Sequence, residues 1–470
     1  MSVGTAPEGR HFVGTPATAP GPLGPDMLRA LVGIRADPLA YLASAWREYG
    51  DVVQFPIPRP PSYLVNDPDA VWQVLVNTGR TYGKSTIQYR SLALVTGDGL
   101  LAADTPAWRE QRPLVQPAFH HRTLDRIVAH VVAAGERVID EWSNNAAGLG
   151  AAGAVVDVDA AMMRAALEVV GHALFGTDLS PDADRLAAAT LAALDVVVAR
   201  ARVPITPPAW VPSPGNLRLQ AAVRELDSAV LAMVAERRRG PSGGESADML
   251  DLLLAARTAD GRALTRRQVR DQIATFVVAG HETVATALAW AWALLAGDPE
   301  RQRLLAAESD TVLGGRPPTM ADVVRLPYAR AVMDEALRLY PPAWLLTRAT
   351  LEPVQLAGVD VPAGALLIMS PWLLHRHPDR WDRPDAFEPE RFLPGAAQAV
   401  DRTAFLPFGA GLRQCIGRDF AYVEGVLLLA QLAGRIEVSY PPGGTLPRAE
   451  PLVTMRPVGG VRLRVRVRPG

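Results

Sequence analysis

Residues 405–421 read FLPFGAGLRQCIGRDFA and hold Cys415, the one cysteine of the chain. A thiolate is a strong, soft ligand for iron, and it needs help to stay ionised. A helix starting just after Cys415 directs backbone N–H groups and a partial positive charge at the sulfur. Gly409, Gly411 and Gly417 let the backbone close around it where a Cβ would obstruct. Phe408 can shield the sulfur from water, and Arg413 can pair with an anionic group beside it. Read alone, Cys415 is equally a small buried hydrophobe in an ordinary loop.

Three further groups have types and spacing that could do chemistry. AGHET, residues 279–283, lies midway along a long apolar helical stretch. A glycine inside a helix costs about 1 kcal/mol relative to alanine, so Gly280 needs a reason. One is a local opening where O2 approaches the backbone, with Thr283 bonding the oxygen and Glu282 passing protons through water. The other is a small residue at a helix crossing beside a solvated His–Glu pair. In EALR, Glu335 and Arg338 share a helix face at i and i+3. Glu236–Arg239 and Glu300–Arg303 have the same spacing, so only context selects Glu335: LRLYPP follows it, and PERF with Arg391 comes later. In WREQR, Trp108 and Arg112 share a face at i and i+4, and Arg348 follows YPP shortly after. Taken singly, each of these arginines is an ordinary surface charge.

Phe408, Gly409, Gly411, Arg413, Cys415 and Gly417 fit F-G-x-G-x-R-x-C-x-G without a gap. This resembles the haem-binding loop of the cytochrome P450 family. The other motifs fall in that family's order, so the resemblance spans residues 36–465. It implies a mainly α fold with a small β region and a long central helix over the haem. It implies haem b as cofactor, with Cys415 as the axial thiolate whose electron donation favours O–O cleavage. Trp108, Arg112, Arg348 and Arg413 are then expected at the haem propionates, as charge-assisted bonds prefer, with Phe408, Gly409 and Gly417 around the cofactor. Gly280, Glu282 and Thr283 are expected to act in O2 activation, and Glu335, Arg338 and Arg391 to form a buried structural network behind the haem.

Two segments, STIQYRSLALVTGDGLL (85–101) and LRLYPPAWLLTRA (337–349), resemble a thermophilic bacterial carotene hydroxylase branch of that family. The likeness implies a substrate wall of Ile87, Gln88, Leu92, Val95, Ala343, Trp344, Leu345 and Leu346, joined by Val278, Ala279 and Thr454. It implies hydroxylation of the terminal ring of a carotenoid. An apolar wall suits a long hydrocarbon with few polar anchors, and equally a fatty acid or a terpenoid. Trp344 taken alone is core packing.

Such groups need a frame. The first third predicts strands at 51–58 and 62–66, a helix at 67–78, loop over 82–106 and a helix from Pro106. The middle predicts helices at 123–143, 157–175, 182–201, 216–239 and 248–258. The proline-rich 203–216 and glycine-rich 239–247 interrupt them. Thr265 with Gln268 reads as a capping box, and Gly297 with Pro299 as a stop, giving a helix over 266–296 about 46 Å long. Helices at 328–339 and 416–435 and strands at 353–356 and 365–370 complete the reading. Residues 1–35 read as an extended Pro/Gly-rich segment and 36–470 as a single domain.

The 48 Lys+Arg against 49 Asp+Glu leave a net charge of −1, which gives no bulk attraction to nucleic acid. One cysteine permits no intrachain disulfide, and a reducing cytoplasm is the default. Residues 273–295 are long enough to span a bilayer, but Glu282 at their middle favours a buried core helix. The N-terminus shows no signal peptide or anchor, and the chain shows no flavin or iron–sulfur domain. Electrons are therefore expected from a ferredoxin and its reductase, docking near Cys415 beside Arg413 and Arg418. A zinc hydrolase is disfavoured: HETVA lacks the second histidine of HExxH, and His120–His121 and His375/His377 lack zinc spacing. A peroxygenase or a haem sensor is disfavoured by the Glu282–Thr283 pair.

Overall fold

The computed structural model describes residues 17–56, 61–148, 153–177, 179, 183–201, 208, 210–239, 248–258, 260–396 and 399–468. The helices in chain order are α1 Gly24–Ala36, α2 Pro38–Tyr49, α3 Pro68–Val76, α4 Ile87–Thr96, α5 Thr105–Val115, α6 His121–Ala146, α7 Val158–Phe175 and α8 Ala183–Ala201. They continue with α9 Pro214–Arg239, α10 Met249–Ala255, α11 Arg266–Ala296, α12 Pro299–Leu313, α13 Pro327–Leu339, α14 Pro371–Leu374 and α15 Arg418–Ala433. The strands are β1 Val52–Phe55, β2 Ser62–Val65, β3 Tyr82–Gly83, β4 Ala154–Asp157, β5 Leu346–Thr350 and β6 Val354–Leu356. Then come β7 Val359–Val361, β8 Leu366–Met369, β9 Ile436–Ser439, β10 Ala449–Pro451, β11 Met455–Pro457 and β12 Arg462–Val467.

The chain writes many of its helix starts the same way: a carboxylate that accepts a first-turn N–H, then a proline where no N–H is needed. Asp37 accepts from Ala40 before Pro38, Asp67 from Ala70 before Pro68, and Asp298 from Arg301 before Pro299. The capping box of Thr265 and Gln268 opens α11 and Gly297 closes it, as the sequence predicts. A five-stranded sheet has the order β1, β2, β8, β5, β3; its neighbours pair antiparallel except β2 and β8, which run parallel. β4, β12 and β9 form a second sheet, and β6–β7 and β10–β11 are two-stranded pairs.

α11 is the axis of the core. α7, α13 and α15 pack on it, and Trp290 and Trp292 on α11 are fully buried. It is the one helix among the described residues long and apolar enough to cross a membrane, and 83% of its most apolar window lies inside the protein. Its apolarity is that of a core helix, hydrophobic all round because it is surrounded.

Three local expectations fail. Residues 24–36 form a helix, not extended chain: Pro25 sits at its first turn and no proline follows before Ala36. Residues 1–16 lie outside the described residues. The expected loop at 82–106 contains α4, which starts after an extended Thr86 and stops at Gly97, whose φ is +64°. Within 203–216, Pro214 opens α9 because proline is tolerated there. Residues 202–207, 209 and 240–247 lie outside the described residues.

Candidate functional site

The Cys415 loop is held from behind. Its backbone N–H donates to Phe408 O at 3.0 Å, closing the loop on itself. Gly409 and Gly411 have φ of +67° and +68°, which side chains rarely adopt. A Cβ on Gly411 would also meet Leu75 O at 2.6 Å, because α3 approaches there. Gly417 is different: its Cβ would make ordinary contact with Phe119 at 3.6 Å, so protein packing does not demand glycine there. Phe408 packs on Tyr422 of α15 with ring centroids 5.0 Å apart.

The helix does not by itself ionise the thiol. α15 begins only at Arg418, with Gly417 as its cap. Burial pushes the Cys415 thiol up; the Gly417 N–H and the guanidiniums of Arg112 and Arg418 oppose that without overcoming it. Yet the Cys415 side chain is accessible. The protein's own charges thus leave the free thiol favoured, and a coordinating metal would supply the rest, as metals do for coordinating thiols.

Four cations gather near this loop. Arg112 donates to Gln414 O at 3.0 Å, and Arg413 donates to Ala103 O at 2.9 Å. Both lie over Trp108, at 5.6 and 4.4 Å from the ring. Buried Arg348 donates to Thr78 Oγ1 at 2.9 Å. The fourth has no place in the family motifs. Lys84, the only lysine of the chain, is buried, donates to Leu101 O at 2.6 Å and lies 4.1 Å over the Tyr89 ring. Burial, then Arg348 and Arg413, push its ammonium well below the usual range, and only Asp104 opposes them. Arg413 is pulled down to about 10 by burial and then by Arg348. Among the described residues none of the four forms an ion pair. A largely buried cluster of four cations, with Asp104 the one carboxylate offsetting Lys84 and Arg413, calls for an anion. A haem with two propionates, and an iron for Cys415, fits both demands. Lys84→Met is accordingly expected to speed haem loss to an acceptor globin several-fold, and Lys84→Arg much less; equal rates in all three proteins would show that Lys84 does not face the cofactor.

On the other wall, α11 runs unbroken through Gly280 and Thr283. The observed reason for Gly280 is Val170 on α7, whose Cγ2 would lie 2.9 Å from an added Cβ. Thr283 Oγ1 donates to Ala279 O at 2.8 Å. The alternative of a solvated His–Glu pair fails, since His281 and Glu282 are 0% and 2% exposed. His281 donates Nδ1–H to Val277 O at 2.6 Å and is held neutral by burial, at about 4. Glu282 accepts from Thr454 Oγ1 at 2.7 Å.

The expected apolar wall comes together in part. α4, which carries Ile87, Gln88, Leu92 and Val95, packs on α11, which carries Val278 and Ala279. Thr86 and Thr347 share a buried hydrogen bond of 2.8 Å, which ties the start of α4 to β5. Ala343, Leu345 and Leu346 are half-buried. Trp344 instead packs in a core cluster with Phe55, Leu64 and Leu373, and donates its indole N–H to Leu452 O at 2.8 Å. Thr454 is engaged with the acid.

Glu335 and Arg338 are fully buried. Arg338 donates to both Glu335 oxygens, at 2.6 and 2.8 Å, and to the carbonyls of His375, Pro384 and Ala386. Arg391 Nε lies 3.6 Å from Glu335. His375 has no zinc-like spacing in the sequence, but the fold gives it a structural role. Leu406 N–H donates to its Nε2 at 2.9 Å, while Nδ1 faces Arg338 O at 3.3 Å. The imidazole thus carries the buried pair's support into the Cys415 loop. Burial, then Arg338, hold it neutral, at about 3.

The family model described as Cytochrome P450 matches residues 20–462. Cyclooctatin synthase of Streptomyces melanosporofaciens is 37% identical, over 97% of this chain and 97% of its own. Pentalenene oxygenase of Streptomyces avermitilis is 34% identical, over 92% and 93%. The crystal structure of CYP175A1 from Thermus thermophillus superposes with a TM-score of 0.76 at 30% identity, covering 95% of this chain and 100% of that one. With an exposed thiol in a glycine-rich loop, a cation cluster beside it and a central helix in place, these matches show that the chain belongs to the cytochrome P450 family and is a haem-thiolate monooxygenase.

Proposed function

We propose that the protein hydroxylates a cyclic terpenoid, with haem b bound through Cys415. The observation that carries the substrate class is the pair of relatives named for cyclooctatin and pentalenene, both matched over nearly their whole length. The half-buried apolar residues Ile87, Ala279, Ala343, Leu345 and Leu346 support it, because a hydrocarbon ring system needs shape and apolar contact more than polar anchors. Carotenoid ring hydroxylation, expected from residues 85–101 and 337–349, is the second reading.

Haem iron bound by a thiolate supplies O2 activation, one oxygen atom entering the substrate and the other leaving as water with two electrons and two protons. The chain's residues would do the rest. Trp108, Arg112, Arg348, Arg413 and Lys84 would hold the haem carboxylates, and Phe408, Gly409 and Gly417 would stand beside the Cys415 sulfur. Thr283 would offer a hydroxyl to the bound oxygen; here it donates to Ala279 O. Glu282 holds a proton nearby: burial first, against the pull of Thr454 and Arg456, pushes its carboxyl up to about 7. Below that pH it is mainly protonated and able to donate; above it, it is mainly ionised.

Electrons are proposed to come from a ferredoxin with its reductase. The docking face is narrower than the sequence implied. Arg413 is turned inward, whereas Arg418 and Leu412 are exposed on the Cys415 side.

The test is a titration of ferric holoprotein with a panel of polycyclic terpene hydrocarbons, fatty acids and β-carotene, followed by the haem spin state. A high-spin shift with terpenes, and hydroxylated product on turnover, is expected. A shift with fatty acids alone would overturn both readings; one with β-carotene alone would select the second.

A further inference from the structure

We propose that Thr454 is a positioning residue for Glu282: from the turn between β10 and β11 it fixes the carboxyl and sets the pH at which that acid parts with its proton. This rests on the reading of Glu282 as the proton-passing acid. The sequence places Thr454 in the substrate wall; the structure gives its hydroxyl a partner. Oγ1 donates to Glu282 Oε1 at 2.7 Å, and both residues are buried. Among the described residues, Thr454 is the one side-chain donor to this carboxyl, since Thr283 spends its proton on Ala279 O.

The turn cannot drift. Trp290 of α11 donates its indole N–H to Met455 O at 2.7 Å, and Met455 N–H donates to Pro342 O at 3.1 Å. Trp344 holds Leu452 O, and Leu452 N–H donates to Thr454 O at 3.0 Å. Thr454 is thus anchored through the backbone on both sides, and its hydroxyl is delivered to one place. The same turn adjoins the apolar segment 343–346, so the residue that holds the acid stands next to the proposed substrate wall.

The charged groups that face Glu282 come from each neighbour. Arg456 on β11 lowers its proton affinity, but is engaged with Asp159 on α7 at 2.5 Å. Asp159 itself and Asp195 on α8 raise it. His281, beside it on α11, is held neutral by burial. Burial dominates and raises it; Thr454 is the first cause acting the other way. A hydroxyl proton stabilises a carboxylate more than a carboxylic acid, so removing it moves the titration upward.

The experiment follows the C=O stretch of protonated carboxyls by infrared difference spectroscopy on ferric holoprotein, stepped from acid to alkaline pH. The wild type is expected to show a band that titrates near neutral pH and is absent from Glu282→Gln. In Thr454→Val the midpoint moves up by about one pH unit, and Thr454→Ser restores it. An unmoved midpoint in Thr454→Val overturns the proposal, as does a band that survives in Glu282→Gln. The reading beneath it is tested apart, by product formed per NAD(P)H oxidised. A band shifted in Thr454→Val, together with wild-type coupling in Glu282→Gln, keeps the positioning role and removes the proton-passing one.

Discussion

Cys415→Ser is expected to abolish the red-shifted Soret band of the reduced CO complex. Monooxygenation should fall by at least about a thousandfold, or ~4 kcal/mol on the barrier. The chain holds no other cysteine, so no second thiolate can substitute. Serine is nearly isosteric, and the loop around it is fixed by Gly409, Gly411 and the Cys415 N–H bond to Phe408 O. The variant therefore tests ligand chemistry and not folding. Since burial raises the thiol's pKa, loading with haem iron displaces a proton that the free thiol holds. Apparent haem affinity should accordingly rise with pH until the thiol's own pKa is passed, and that slope should vanish in the serine variant. A serine variant that kept the shifted band would end the assignment of Cys415.

Glu335→Ala or Arg338→Ala should cost about 3–5 kcal/mol, because each strands a buried charge. Total stability is only about 5–15 kcal/mol, so little haem-loaded protein should survive. The burial is complete: both side chains are 0% exposed, and Arg338 spends its donors on Glu335 and on the carbonyls of His375, Pro384 and Ala386. Loss of Arg338 also frees the segment that carries His375, and His375 holds Leu406 at the start of the Cys415 loop. A double replacement by apolar residues should therefore recover part of the stability but less of the haem content. Urea unfolding and haem per protein would be measured together. A single alanine variant with the wild-type midpoint and full haem would show that the pair is dispensable.

Elements that depend on close neighbours in the chain needed little correction. The 266–296 helix is legible from Thr265, Gln268 and Gly297 because caps act within a turn. The loop 405–421 is legible because glycine, arginine and cysteine at fixed offsets constrain one backbone path. The helix at 87–96 is not, since its apolar residues read as loop between short strands. Lys84 carries one signal in composition, being the single lysine in a chain otherwise supplied with arginine.

The family, the single thiol in its glycine-rich loop, the central helix and the Glu335–Arg338 pair are all written in local spacing along the chain. Only the tertiary structure decided that Gly280 makes room for Val170, that Lys84 joins three arginines, and that Trp344 ties down a turn. It alone decided that the partner of Glu282 is Thr454, 172 residues away. The physical reason is that the meaning of a polar side chain lies in what faces it. A buried carboxyl or ammonium is defined by its solvation and its partners, and chain folding brings those from positions that no spacing along the sequence can name.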